Sequence, residues 1–162
     1  MNRKSLNAFT LAAMIAALYV VFTLISSAMG LSSGVIQLRF SEAFTILPIF
    51  FPSAVWGLFG GCVLANLLSG AALWDIVIGS LATLFGAIGT YYLRKKPILA
   101  FLPPVFFNTV MIPPLLYFVY GFRESGLIFM FFTVFFGEAL SVWLFGFLLY
   151  RAIHTRFQKK TR

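Results

Sequence analysis

The feature that most constrains this chain is a series of long apolar stretches separated by basic clusters. Four stretches, at about 7–28, 74–93, 98–120 and 126–150, are long enough to cross a bilayer, since a transmembrane helix needs roughly 20 apolar residues. Charged residues make up only 10% of the sequence, whereas soluble domains hold about 25%. The sequence therefore predicts an all-α integral membrane protein with a single domain over residues 1–162.

The stretch 41–70 is ambiguous, because it is longer than one span yet short for two. If it crosses twice, the chain has six transmembrane helices, and ten of its twelve Lys and Arg residues fall on one side. Those ten lie at the N-terminus, at 94–96 and at the C-terminus, while Arg39 and Arg123 fall on the other side. A single crossing would place 94–96 outside, against the positive-inside rule. We therefore predict six helices with cytoplasmic N- and C-termini.

Two prolines predict where the ambiguous stretch breaks. Pro48 and Pro52 lack an N–H donor and clash with the preceding helical turn. We therefore expect a short or kinked helix at about 42–53 and another helix at about 54–68. Short segments of this kind are tolerated in a membrane only where they are buried in protein or line a cavity.

A few polar residues interrupt the apolar stretches, and each needs a reason because a charge at the centre of a membrane helix costs about 2.5–3.5 kcal/mol. These residues are Arg39, Glu42, Asn66, Asp75, Asn108 and Glu138. The six-helix topology places Asn108 and Glu138 around the midplane and the others in the outer third. A polar pocket that opens outward accounts for this distribution, and Trp74 and Tyr117 are placed to stack on a planar ligand.

Most of these residues also have a structural interpretation. Arg39 and Glu42, three apart, are spaced to pair at a helix start, and Asp75 is placed to cap a helix. Buried amides commonly tie helices together, and the aromatic residues suit an interfacial belt. Glu138 has no basic partner nearby in the sequence, which favours a binding role for it.

Small residues recur on one side of the first helix. They are Ala8, Ala12, Ala13, Ala16 and Ala17. A spacing of four places small side chains on one stripe, where another helix can approach closely. This stripe indicates either packing within the six-helix body or a docking surface for a separate subunit.

The sequence lacks the motifs of common enzymes. It contains no Gly-rich phosphate loop, and its single His154 lies in the C-terminal tail. The one cysteine and one histidine predict no metal site. We therefore expect no enzymatic activity, no ATP hydrolysis and no cofactor in this chain.

Several short segments between residues 39 and 84 resemble the QueT family. The segments are Arg39-Phe-Ser-Glu-Ala43, Leu47-Pro48, Gly61-Cys-Val-Leu-Ala-Asn66, Asp75-Ile and Gly79-Ser-Leu-Ala-Thr-Leu84. The resemblance implies a six-helix substrate-binding (S) component of an energy-coupling-factor (ECF) transporter in the bacterial cell membrane. Such a component captures its solute from outside and associates with two ATPases and a transmembrane coupling subunit, which use the ATP. The alanine stripe then becomes the docking surface.

The implied solute is a queuosine precursor, a 7-deazaguanine such as preQ1, preQ0 or queuine. The resemblance places Glu138 and Asn108 deep in the pocket, and the loop from Gly30 to Gln37 over it as a lid. The remaining binding residues are expected nearer the mouth: Asn66, Asp75, Glu42, Trp74, Arg39 and Tyr117. An S component for another vitamin-like solute, a small membrane enzyme and a passive channel remain as alternatives.

Overall fold

The computed structural model describes residues 2–31, 38–121 and 126–160, within which the chain is helical and has no strand. Arg123, predicted on the outer side of the membrane, is not among the described residues. Of the predicted lid at 30–37, only residues 30 and 31 are described. The helical elements are α1 (Arg3–Ala28), a 3₁₀ helix (Phe40–Ile49), α2 (Ala54–Leu68), α3 (Asp75–Tyr92), α4 (Pro97–Val119) and α5 (Leu127–Arg156).

Four of these helices, α1, α3, α4 and α5, are long and apolar enough to cross a membrane. They correspond to the four stretches predicted as spans, with two differences at the ends. The first helix already begins at Arg3, and the last continues past residue 150 to Arg156. Three π-helical segments, Asp75–Gly79, Leu115–Val119 and Leu140–Gly146, interrupt the regular α-helical geometry of α3, α4 and α5.

The ambiguous stretch forms two short apolar helices. The first has 10 residues and contains Pro48, and its 3₁₀ geometry extends it to about 20 Å at about 2 Å per residue. The second, α2, has 15 residues and spans about 22 Å. Pro52 lies in the turn between them rather than in the first helix, which ends at Ile49. Seven of the ten residues of the 3₁₀ helix are buried, so protein covers the short segment.

Helices α1 and α2 run in parallel at very close range. A Cβ atom added to Gly57 would lie 2.5 Å from the carbonyl oxygen of Ala12, and one added to Gly61 would lie 3.0 Å from Cα of Ala16. Glycine at these two positions therefore allows the backbones to touch. Ala12 and Ala16 are used for packing inside the body, whereas Ala8, Ala13 and Ala17 are exposed.

The basic residues of the described chain, apart from Arg39, lie at one end of the bundle because of the directions in which the helices run. The Tyr150 ring lies 5.4 Å from the Phe50 ring and 6.0 Å from the Phe101 ring, so the turns near 50 and 97–101 meet the last helix there. The N-terminus of α1, residues 94–96 and residues 151–156 share this end, which we call the basic end. Which side of the membrane it faces stays a prediction from the positive-inside rule.

Candidate solute-binding site

A cavity of about 380 Å³ lies at the end of the bundle opposite the basic end. Its volume falls within the range of roughly 300–1,000 Å³ that is typical of small-molecule sites. Residues from α1, α2, α3, α4 and the start of the 3₁₀ helix surround it. The polar part of the lining comes from Thr23, Ser27, Arg39, Asn66, Ser69 and Asp75.

One wall of the cavity is a hydrogen-bonded unit at the start of α3. The Asn66 amide donates to the backbone oxygen of Asp75 (3.2 Å), and the Tyr120 hydroxyl donates to the Asp75 carboxylate (2.9 Å). Asp75 is the first residue of the π-helical segment that opens α3, so its carboxylate lies in the first turn of that segment. Partial burial and the bond to Asp75 raise the pKa of the Tyr120 hydroxyl, which therefore remains a donor at neutral pH.

Two carboxyl groups and an amide lie buried in the middle of the bundle. Glu42 is 2% exposed and Glu138 is 8% exposed. The Tyr19 hydroxyl donates to Oε1 of Glu42, and the Asn108 side chain lies against the Glu138 carboxyl. Among the described residues, Oε2 of Glu42, Oε2 of Glu138 and Nδ2 of Asn108 have no hydrogen-bond partner. A buried polar group left unpaired costs about 1–3 kcal/mol, so these atoms are suited to bind something else.

Arg39 connects this buried cluster with the cavity. It lines the cavity, and its charge is close enough to act on both Glu42 and Glu138. Its backbone N–H donates to Oγ of Ser141 on α5 (3.3 Å), which ties the start of the 3₁₀ helix to the π-helical segment of α5. The cluster therefore has one guanidinium, that of Arg39, for two carboxyl groups. If both carboxyl groups were ionised, its net charge would be −1.

The predicted binding residues thus fall into three groups. Arg39, Asn66 and Asp75 line the cavity, and the buried cluster is formed by Glu42, Asn108 and Glu138. The third group, Trp74 and Tyr117, does not belong to the lining of the cavity. Trp74 is 54% exposed, and the Tyr117 ring packs against the Phe118 ring with centroids 5.1 Å apart. Within the described residues, no group of three or more His, Cys, Asp or Glu side chains could hold a metal ion.

Sequence reasoning missed the contribution of α1 to the site. Thr23 donates to Ser41 Oγ (2.8 Å), and the Phe40 N–H donates to Ser26 Oγ (2.9 Å). Together with Tyr19, these α1 residues form a polar stripe at helical spacing that faces the start of the 3₁₀ helix. The spacing of four between Tyr19 and Thr23 within an otherwise apolar helix is the signal that could have identified the stripe.

The membrane-length helices and the polar, solute-sized cavity are typical of an integral membrane protein that binds a small molecule. A model of the QueT transporter family matches residues 9–155, which is most of the chain. The chain therefore belongs to the QueT transporter family, as the segments between 39 and 84 predicted, and it is a transporter protein rather than an enzyme. Comparison with curated proteins and with solved structures gives no match.

Proposed function

We propose that this chain is the S component of an ECF importer in the bacterial cell membrane and that it captures a queuosine precursor. The observation that carries the proposal is the buried cluster, with two carboxyl oxygens and the amide NH₂ of Asn108 unpaired among the described residues. These are hydrogen-bonding groups that a polar ligand would satisfy, and they lie below a cavity of about 380 Å³. ATP would be used by the partner subunits, and this chain needs no cofactor.

The chemistry of a 7-deazaguanine complements these groups. Its guanine-like edge offers N–H donors, which a carboxylate such as Glu138 can accept, and a carbonyl oxygen, which the Asn108 amide can bind. PreQ1 also carries an ammonium group. In the cluster, two carboxylates face the single Arg39, so a cationic ligand would balance the charge of Glu42 in a low-dielectric environment.

The topology supports capture from outside. The cavity lies at the end opposite the basic end, and the positive-inside rule assigns basic ends to the cytoplasm. Arg39, Asn66 and Asp75 would therefore contact the solute at the outer mouth before it reaches Glu42, Asn108 and Glu138.

Ligand titrations test the proposed substrate class. We expect the purified protein to bind preQ1 more tightly than preQ0, because only preQ1 is cationic, and to bind both more tightly than adenine, which presents a different edge. Isothermal titration calorimetry in detergent, with riboflavin, thiamine and biotin as vitamin controls, measures these affinities. Binding of a vitamin without binding of any deazaguanine would contradict the substrate and favour an S component for a different solute.

A second test concerns the docking surface. Ala13 and Ala17 are exposed on α1, and neither is needed for the close contact with α2. We expect Ala13→Trp/Ala17→Trp to bind preQ1 like the wild type but to lose co-purification with the ATPases and the coupling subunit, because bulky rings prevent close helix approach. Val110→Trp, at an exposed position on α4, is the matched control. Unchanged co-purification of the double variant would argue against docking through this face.

A further inference from the structure

A second cavity lies at the basic end, on the surface formed by α4 and α5. It has a volume of about 350 Å³ and is lined by Pro97, Ile98, Phe101, Trp143, Phe147 and Tyr150. Phe101 is only 4% exposed and forms the floor, with its ring centroid 5.8 Å from Trp143 and 6.0 Å from Tyr150. Ile98 is 73% exposed and Phe147 is 48% exposed, so they form open walls. We call this feature the aromatic groove.

Cationic residues adjoin the aromatic groove on both sides. Exposed Lys96 directly precedes Pro97, and exposed Arg151 directly follows Tyr150. The His154 ring stacks on the Tyr150 ring with centroids 5.3 Å apart. None of the four acidic residues of the chain lies in segments 94–101 or 143–162. The positive charge beside the groove therefore has no counterion within the segments that form it.

We propose that the aromatic groove binds one anionic phospholipid, with an acyl chain against Phe101 and the phosphate near Lys96 and Arg151. The almost entirely apolar lining matches a hydrocarbon chain, and the adjoining cations match a phosphate. A neutral lipid lacks the charge, and free phosphate lacks the chain. Basic pockets between transmembrane helices commonly bind anionic headgroups. This proposal is independent of the solute and of the ECF module.

Native mass spectrometry of the detergent-purified protein tests the charge requirement. With phosphatidylglycerol or phosphatidylcholine added at equal concentration, we expect each protein to retain one phosphatidylglycerol molecule and to retain much less phosphatidylcholine. Lys96→Gln/Arg151→Gln is expected to weaken that binding by about 30-fold, on the basis of two basic residues near an anionic headgroup. Arg3→Gln/Lys4→Gln removes the same charge at the same end but from α1, which contributes no groove residue, and should bind phosphatidylglycerol like the wild type.

The requirement for the groove is tested separately. Ile98→Trp should fill the groove and reduce phosphatidylglycerol retention several-fold, whereas Ile128→Trp, at a position that is 74% exposed at the other end, should not. Glycerol 3-phosphate at the same concentration should not displace the lipid, because it lacks the acyl chain. The proposal would be overturned if the protein retained the two lipids equally, or if the α1 control lost as much phosphatidylglycerol as Lys96→Gln/Arg151→Gln. It would also be overturned if Lys96→Gln/Arg151→Gln or Ile98→Trp retained the lipid fully, or if glycerol 3-phosphate displaced it.

Discussion

Glu138→Gln is expected to weaken preQ1 binding by about 10- to 150-fold, because a hydrogen bond to a charged group contributes about 1.5–3 kcal/mol. The substitution keeps the shape of the side chain, removes the charge and replaces one acceptor oxygen with a donor NH₂ group. Without ligand, the variant should be at least as stable as the wild type, since Glu138 is 8% exposed and its Oε2 lacks a partner among the described residues. A buried carboxylate without full compensation costs stability, and a neutral amide costs less.

Two measurements separate binding from folding in this variant. Calorimetry with preQ1 gives the affinity, and thermal unfolding in detergent without ligand gives the stability. Thr133→Val is the control on the same helix, since Thr133 is half-buried and donates to the Met130 carbonyl (3.0 Å) outside the buried cluster. Unchanged preQ1 affinity in Glu138→Gln would remove this residue from the binding site. A fall in the melting temperature together with the affinity would indicate a structural role.

Gly57→Ala is expected to destabilise the protein by about 1–3 kcal/mol, the usual cost of overpacking. The new Cβ would lie 2.5 Å from the Ala12 carbonyl oxygen and 3.1 Å from Ala12 Cα. These are backbone atoms, so no rotamer change relieves the clash and α1 must move away from α2. Because α1 carries Tyr19, which donates to Glu42, the shift should also weaken preQ1 binding.

Gly60→Ala is the matched control for this close contact. It lies in the same helix, and a Cβ there would have no atom within 4 Å. Alanine also has a better helix propensity than glycine, so this variant should be as stable as the wild type or slightly more stable. Thermal unfolding of the three proteins in one detergent makes the comparison. Equal melting temperatures for the two variants would contradict the tight parallel packing of α1 and α2.

The alanine stripe shows how far a helical pattern can be interpreted without a structure. The spacing predicts that small residues recur along one side of α1, and it leaves packing and docking as alternatives. The structure divides the stripe, since Ala12 and Ala16 lie against Gly57 and Gly61 while Ala13 and Ala17 face outward. The division depends on where α2 lies, and no local property of α1 specifies that.

The sequence by itself determined that the chain crosses a membrane and where the four long helices lie. The reason is that the free energy of transferring apolar side chains into lipid adds up over consecutive residues of a stretch. The family was also accessible from the segments between residues 39 and 84. Only the tertiary structure decided that the outer polar residues divide into a cavity lined by Arg39, Asn66 and Asp75 and a buried cluster that contains Glu42. It also decided that Tyr19 on α1 binds that cluster. A buried polar group is satisfied by partners across space, and those partners follow from helix packing rather than from the residues beside it in the chain.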